Sequence, residues 1–177
     1  MNSIDQQNVA PQTSFDLSET ISIWLREFEV SLSKCDPAAV AALFEEHGNW
    51  RDVLAFTWHL TPVVGAAAIA GTMVGRQQAV EARGFGISPD RTPPRLVKRL
   101  GRECIEAIIC FETKVGRGEG ALRLTADANG DYRAWVLSTC LEELEGFEEQ
   151  IGDKRPSGAA YSVSYTHLRA HETRTYL

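Results

Sequence analysis

The sequence predicts an α+β domain, helices first and an antiparallel sheet second, on three observations. Apolar residues recur at three- and four-residue steps as far as about Ala82. From Glu103 to Leu144 they alternate instead, the period of a half-buried strand. Between the two patterns lies Arg83 to Pro94, with two glycines and three prolines, which reads as a loop. The 177 residues suffice for one domain with a real core, plus tails.

The first sixteen residues, rich in Asn, Gln and Ser, are expected to be disordered. Asp16 or Ser18 then caps a helix over Ser18–Lys34, with Ile21, Trp24, Leu25, Phe28 and Leu32 as one apolar stripe. Asp36-Pro37 opens a second helix over Pro37–Glu46, an aspartate cap before a proline at the first helical position. Val40, Leu43 and Phe44 form its apolar face and Gly48 ends it. A third, alanine-rich helix runs over Ala66–Ala82 with Ile69, Met73 and Val80 facing inward.

Arg95 to Leu100 reads as a short strand. Glu103 to Val115 is apolar on both faces and so is expected at the centre of the sheet. Gly116 to Gly120 is predicted as a hairpin turn, Ala121 to Ala126 as the returning strand, and Asn129-Gly130 as a second turn. Tyr132 to Leu144 is the last strand, with Trp135, Leu137, Thr139 and Leu141 expected on one face.

Composition narrows the function classes. A net charge of −6 and scattered arginines give no basic stripe for nucleic acid or an anionic membrane. The longest apolar run, near Leu60 to Val74, is broken by Pro62, Gly65 and Gly71, so no membrane span is expected. The N-terminus has no basic or apolar leader region. Cys35, Cys104, Cys110 and Cys140 have no C-x-x-C spacing and read as small hydrophobes of a reducing, cytoplasmic protein. No metal site is expected.

One stretch concentrates chemistry. Gly48 to Thr61 holds Trp50, Trp58, the Arg51-Asp52 pair and His59. Two readings stay open. One is an apolar pocket lined by Trp50, Arg51, Phe56, Trp58 and, from the last strand, Trp135, with Asp52 and His59 as catalytic proton-transfer groups. The other is a Trp-rich core segment. In a strand, adjacent Arg51 and Asp52 point to opposite faces, so at most one of them enters a pocket. Gly116-Arg117-Gly118-Glu119-Gly120-Ala121 fits a dinucleotide fingerprint, but strand-like residues follow it where a helix is required.

Two resemblances extend this reading. Val163 to Arg174 resembles a translated sequencing adapter, which makes residues 163–177 an artefactual tail and the chain the N-terminal piece of something longer. It also removes His167 and His171, at i, i+4 spacing, as a metal pair. The second rests on Trp24-Leu25, Asp36-Pro37-Ala38, Leu43-Phe44, Trp50-Arg51-Asp52, Trp58, Thr61, Gly65 and Ile69. It rests further on Phe111-Glu112-Thr113, Gly118 to Leu124 and Leu137 to Gly146. Together these are similar to the SnoaL-like branch of the nuclear-transport-factor-two-like fold, and more narrowly to the N-terminal domain of flavin-containing monooxygenases.

That resemblance implies a cone-shaped α+β fold over residues 17–147, with helices packed on a curved antiparallel sheet. It implies that residues 148–162 link to a missing flavin domain. FAD and NADPH would belong to that parent, with no cofactor held by this part. The implied role is an accessory domain that shapes substrate access or joins subunits as a homodimer. The alternatives are a stand-alone SnoaL-like isomerase, dehydratase or hydrolase for a small apolar molecule, and a non-catalytic binding or dimerisation module.

Overall fold

A computed structural model describes residues 14–147 of the chain. Expectations for the extreme N-terminus, the linker and the adapter-like tail fall outside these residues. The elements are α1 (Ser14–Ser33), α2 (Pro37–Ala42), β1 (Phe44–Val53), β2 (Leu60–Val64) and α3 (Ala66–Val80). They are followed by β3 (Arg83–Ile87), β4 (Arg95–Arg99), β5 (Arg102–Thr113), β6 (Gly116–Ala126) and β7 (Tyr132–Leu144). Among the described residues the strands form one sheet of order β2-β1-β7-β6-β5-β3, with β4 also paired to β5. The sheet is mixed: β1 runs parallel to β7, and the other pairings are antiparallel.

The helices follow from their stripes. Ile21, Trp24, Leu25, Phe28 and Leu32 of α1 are all buried, as their spacing predicts. Asp36 caps α2 by accepting hydrogen bonds from Ala38 N and Ala39 N, both at 3.0 Å. This helix stops at Ala42 rather than Glu46. Phe44 is buried as expected, but from a strand: β1 begins there and pairs with Ala134 of β7. Gly48 therefore lies inside β1, where a Cβ would come within 3.0 Å of Glu45 O, and does not end a helix. On α3, Ile69, Met73 and Val80 face inward as predicted.

Three further expectations give way. Arg83–Ile87, read as loop, is a strand, because Phe85 buries between Phe28 and Phe111 while Gly86 and Ile87 pair with β5. The turn predicted at Gly116–Gly120 sits instead at Lys114-Val115, and the glycines begin β6. Their purpose is close approach: a Cβ at Gly118 would lie 2.3 Å from Phe111 Cζ, and one at Gly120 would lie 1.9 Å from Ser138 O. Third, Trp135 leaves the face of Leu137 and Thr139. A bulge opposite Arg123 and Leu124 moves it to the other side of the sheet.

Helices cover one face of the sheet, here called inner. On that face Phe28, Phe85, Phe111, Phe56 and Trp50 form an unbroken column of ring contacts, with centroids 5.1 to 6.4 Å apart. Such edge-to-face and stacked pairs add to what burial of their area contributes. No helix among the described residues is long and apolar enough to cross a membrane.

Candidate functional site

Among the described residues Asp52 is the one carboxylate buried on the inner face beside the aromatic column, and its side chain is fully enclosed. Alternation along β1 puts Trp50 and Asp52 inward and leaves Arg51 exposed, as the adjacency of Arg51 and Asp52 requires. The chain after β1 doubles back over the carboxylate. Asp52 Oδ2 accepts from Phe56 N at 3.0 Å, Thr57 N at 2.8 Å and Thr57 Oγ1 at 2.8 Å. Its Oδ1 accepts from Thr139 Oγ1 of β7 at 2.7 Å. Thr139 Oγ1 in turn accepts from Trp50 Nε1 at 3.0 Å. The relay runs from indole to hydroxyl to carboxylate, and every polar atom in it has a partner.

This cage folds residues 53–59 into a loop with a strained backbone. Leu54 and Trp58 adopt left-handed φ values of 65° and 56°, rare for bulky side chains. Ala55 and Phe56 are driven inward while Leu54, Trp58 and Leu60 are left exposed. His59 is also exposed, and contributes to the loop through its backbone: its carbonyl accepts from Leu54 N at 3.2 Å.

The predicted site residues therefore divide into three places. Trp50, Asp52 and Phe56 come together inside, with the two rings edge to face at 5.6 Å. Trp58 and His59 lie on the outer side of the loop. Arg51 and Trp135 lie on the sheet's outer face, where the Arg102 guanidinium sits 4.8 Å above the Trp135 ring. Shallow grooves of about 390 to 470 Å³ lie along α1 and on the outer face, and none of the seven residues lines them.

Sequence reasoning missed Thr57 and Thr139. The available indication for Thr57 was an aspartate followed at five residues by a threonine, a spacing at which a loop can close onto its own carboxylate. Nothing local marks Thr139, which depends on the parallel pairing Asp52↔Thr139.

Apart from Trp135, the outer face is dominated by charge. Glu106 is buried and accepts from Arg99 Nη2 at 2.9 Å, Arg123 Nε at 2.8 Å and Arg95 Nη2 at 3.0 Å. The Arg99 hydrogen bonds lead, against the cost of burial and with help from Arg123 and Arg95, in holding its carboxyl down to about 2. The arginines that look scattered in sequence are gathered here by strand register. Cys140, on the same face, has its thiol pushed up to about 11 by burial and then by Glu142, which keeps it protonated and poorly nucleophilic. Among the described residues no cluster of three His, Cys, Asp or Glu side chains could hold a metal ion.

No family model matches the chain, and no curated protein matches it. Solved structures do. An uncharacterised protein with a cystatin-like fold from Caulobacter vibrioides aligns over 74% of this chain and 93% of its own, at 9% identity and a TM-score of 0.55. A ketosteroid isomerase-like protein from Erwinia carotovora covers 70% of this chain and 95% of its own, at 12% identity and 0.52. A nuclear transport factor 2-like superfamily protein from Salmonella enterica covers 82% and 100%, at 14% identity and 0.50. Identities this low establish the fold alone. The chain has the nuclear-transport-factor-two-like, or cystatin-like, α+β fold: helices packed on a curved, unclosed mixed sheet.

Proposed function

We propose that this domain is a non-catalytic accessory module that works through the surfaces it presents, as part of a larger flavin-dependent monooxygenase. The observation that carries the first half is the occupancy of Asp52. A general base must offer an oxygen to a substrate proton. Both oxygens of Asp52 already accept from the loop and from Thr139, behind a closed backbone. The parent rests on the sequence likeness described above. FAD and NADPH would be bound by that parent, outside this fold.

The test is a turnover screen of the chain against ketosteroid, epoxide and hydroxy-ketone substrates, with a parallel titration of FAD and NADPH. No turnover and no binding are expected. Turnover that vanishes in a folded Asp52→Asn variant would overturn the reading. The parent is tested in the intact gene, where a strand and a G-x-G-x-x-G turn are expected downstream of Ser162.

The strained loop favours a second reading. Left-handed Leu54 and Trp58 store backbone energy directly over Asp52, and strain of this kind often accompanies function. If residues 53–59 open, Asp52 and Trp50 face solvent, and a stand-alone isomerase, dehydratase or hydrolase acting on a small apolar molecule follows. The same screen decides it.

A further inference from the structure

Charge dominates the outer face over β4, β5 and β6 but gives way at the β2 edge. Alternation puts Leu60, Pro62 and Val64 on that face, level with Val53, Arg51 and Asn49 of β1. Leu60 and Val64, with Leu54 and Trp58 of the loop that joins the two strands, are 41 to 73% exposed. Four large apolar side chains thus stand in water along one edge of the sheet, which is more than scattered surface hydrophobes require.

Two details set this strip apart. Leu54 and Trp58 are turned outward by left-handed backbone, and the Asp52 cage holds that backbone in place through Phe56 N and Thr57 N. Arg51 is the second. Every other arginine of the strands is ion-paired. Arg51, exposed opposite Pro62 with Leu60 and Val64 on its diagonals, has no carboxylate partner among the described residues.

We propose that this strip docks an amphipathic helix of another protein, with Trp58 and Leu60 as apolar anchors and Arg51 pairing an aspartate or glutamate set in the helix's apolar stripe. The proposal rests on the reading of the domain as a non-catalytic module that works through its surfaces. Charge complementarity fixes the carboxylate. An apolar partner without one would strip water from the guanidinium and leave it unpaired. Shape fixes the helix. Small molecules need concave sites, and Arg51, Trp58 and Leu60 line none of the grooves described above. An added strand is disfavoured as well. The hydrogen-bonded pairs of β1 and β2 leave the main-chain groups of Leu60, Pro62 and Val64 pointing to the open edge, and Pro62 has no N–H to offer there. A helix laid across the face needs no main-chain groups from β2. The caged loop already holds its apolar side chains outward, which spares the cost of ordering them on binding.

Selection from a displayed library of helical peptides, each about 20 residues long and randomised along one face, tests it. Enriched sequences are expected to carry large apolar residues at i, i+3, i+4 and i+7 spacing around an Asp or Glu. Their binding, read by fluorescence anisotropy, should weaken at least about tenfold on Arg51→Ala, Trp58→Ser or Leu60→Ser, each with an unchanged circular dichroism spectrum. Replacing the peptide's carboxylate by its amide should weaken binding to the wild-type chain as much as Arg51→Ala does, and leave binding to Arg51→Ala unchanged. No enrichment, enriched helices without a carboxylate, or binding indifferent to these substitutions would each overturn the proposal. So would extended peptides that outcompete helical ones, or a dimer of the chain that Trp58→Ser dissociates, which would put a second copy on the strip. Turnover in the substrate screen overturns the accessory reading alone, since helix binding is measured apart from it.

Discussion

Asp52 and Glu106 are both buried carboxylates of one sheet, and their surroundings are opposite in kind. Asp52, on the inner face, is held by neutral donors: two backbone amides and two threonine hydroxyls, with an indole behind one of them. Glu106, on the outer face, is held by three guanidiniums whose side chains are 32 to 54% exposed. The neutral cage consists partly of the chain itself, so it cannot rearrange without unfolding the 53–59 loop. The charged cage consists of long side chains that can swing into water. Burial alone therefore does not set what a carboxylate contributes; the mobility of its partners does.

The largest expected break is Asp52→Ala. It orphans Phe56 N, Thr57 N and the Thr139 hydroxyl together. Each buried donor left unmatched costs about 1–3 kcal/mol, and partial relaxation of the loop brings the expected total to about 3–4 kcal/mol. Urea denaturation should show the midpoint falling with the slope preserved. A loss below about 1 kcal/mol would mean that the loop holds its shape without the carboxylate.

The contrast explains what could be read from the sequence. Elements set by local periodicity were legible. The α1 stripe buries as written, and Arg51 and Asp52 part to opposite faces; β5 is an interior strand flanked by β6 on one side and β3 and β4 on the other, while β7 and β6 take the centre it was expected to hold. Features set by pairing partners far along the chain were not. Phe44 to Gly48 have helical neighbours in sequence, yet the parallel ladder to β7 takes them into β1. Alternation alone puts Trp135 on the face of Leu137, because a bulge leaves no trace in it. The Gly116–Gly120 run looks like a turn, since close approach of Phe111 and β7 demands glycine as strongly as a turn does. At the site, Asp52 was legible as a notable residue. Its cage was not, because Thr139 lies 87 positions away.

The next effect belongs to Glu106. Its folded pKa of about 2 lies below its ordinary value of 4.5. A carboxyl depressed in this way stabilises the fold above its unfolded pKa, and that contribution is lost as pH falls from about 5 toward 2. Glu106→Gln should therefore be less stable than wild type at pH 7 by roughly 2–3 kcal/mol, with the two curves converging near pH 2. Parallel curves across that range would show that the arginines do not hold the carboxylate.

Thr139→Val sharpens the comparison from the neutral side. The side chains are nearly the same size, so packing is kept while the relay is cut. Asp52 keeps its loop donors, but Trp50 Nε1 loses its acceptor inside the core. The expected cost is about 2 kcal/mol, the range for one buried group left unsatisfied. A red-edge change in tryptophan fluorescence should accompany it, reporting the freed indole.

The smallest effect is expected at Arg83→Ala, on the same outer face as Glu106. Arg83 Nε lies 3.4 Å from Glu112, and the two side chains are 54% and 56% exposed. This pair differs from the Glu106 cage both in solvent access and in having one guanidinium where Glu106 has three. Water screens the attraction, and ordering two long side chains offsets most of what remains, so exposed pairs contribute about 0–1 kcal/mol. Arg83→Ala should shift stability by less than about 0.5 kcal/mol, and raising salt should leave even that difference smaller. Equal losses at Arg83 and Glu106 would mean that burial of the carboxylate is irrelevant on this face, and that the number of guanidiniums around Glu106 reflects the net charge of the surface rather than a cage.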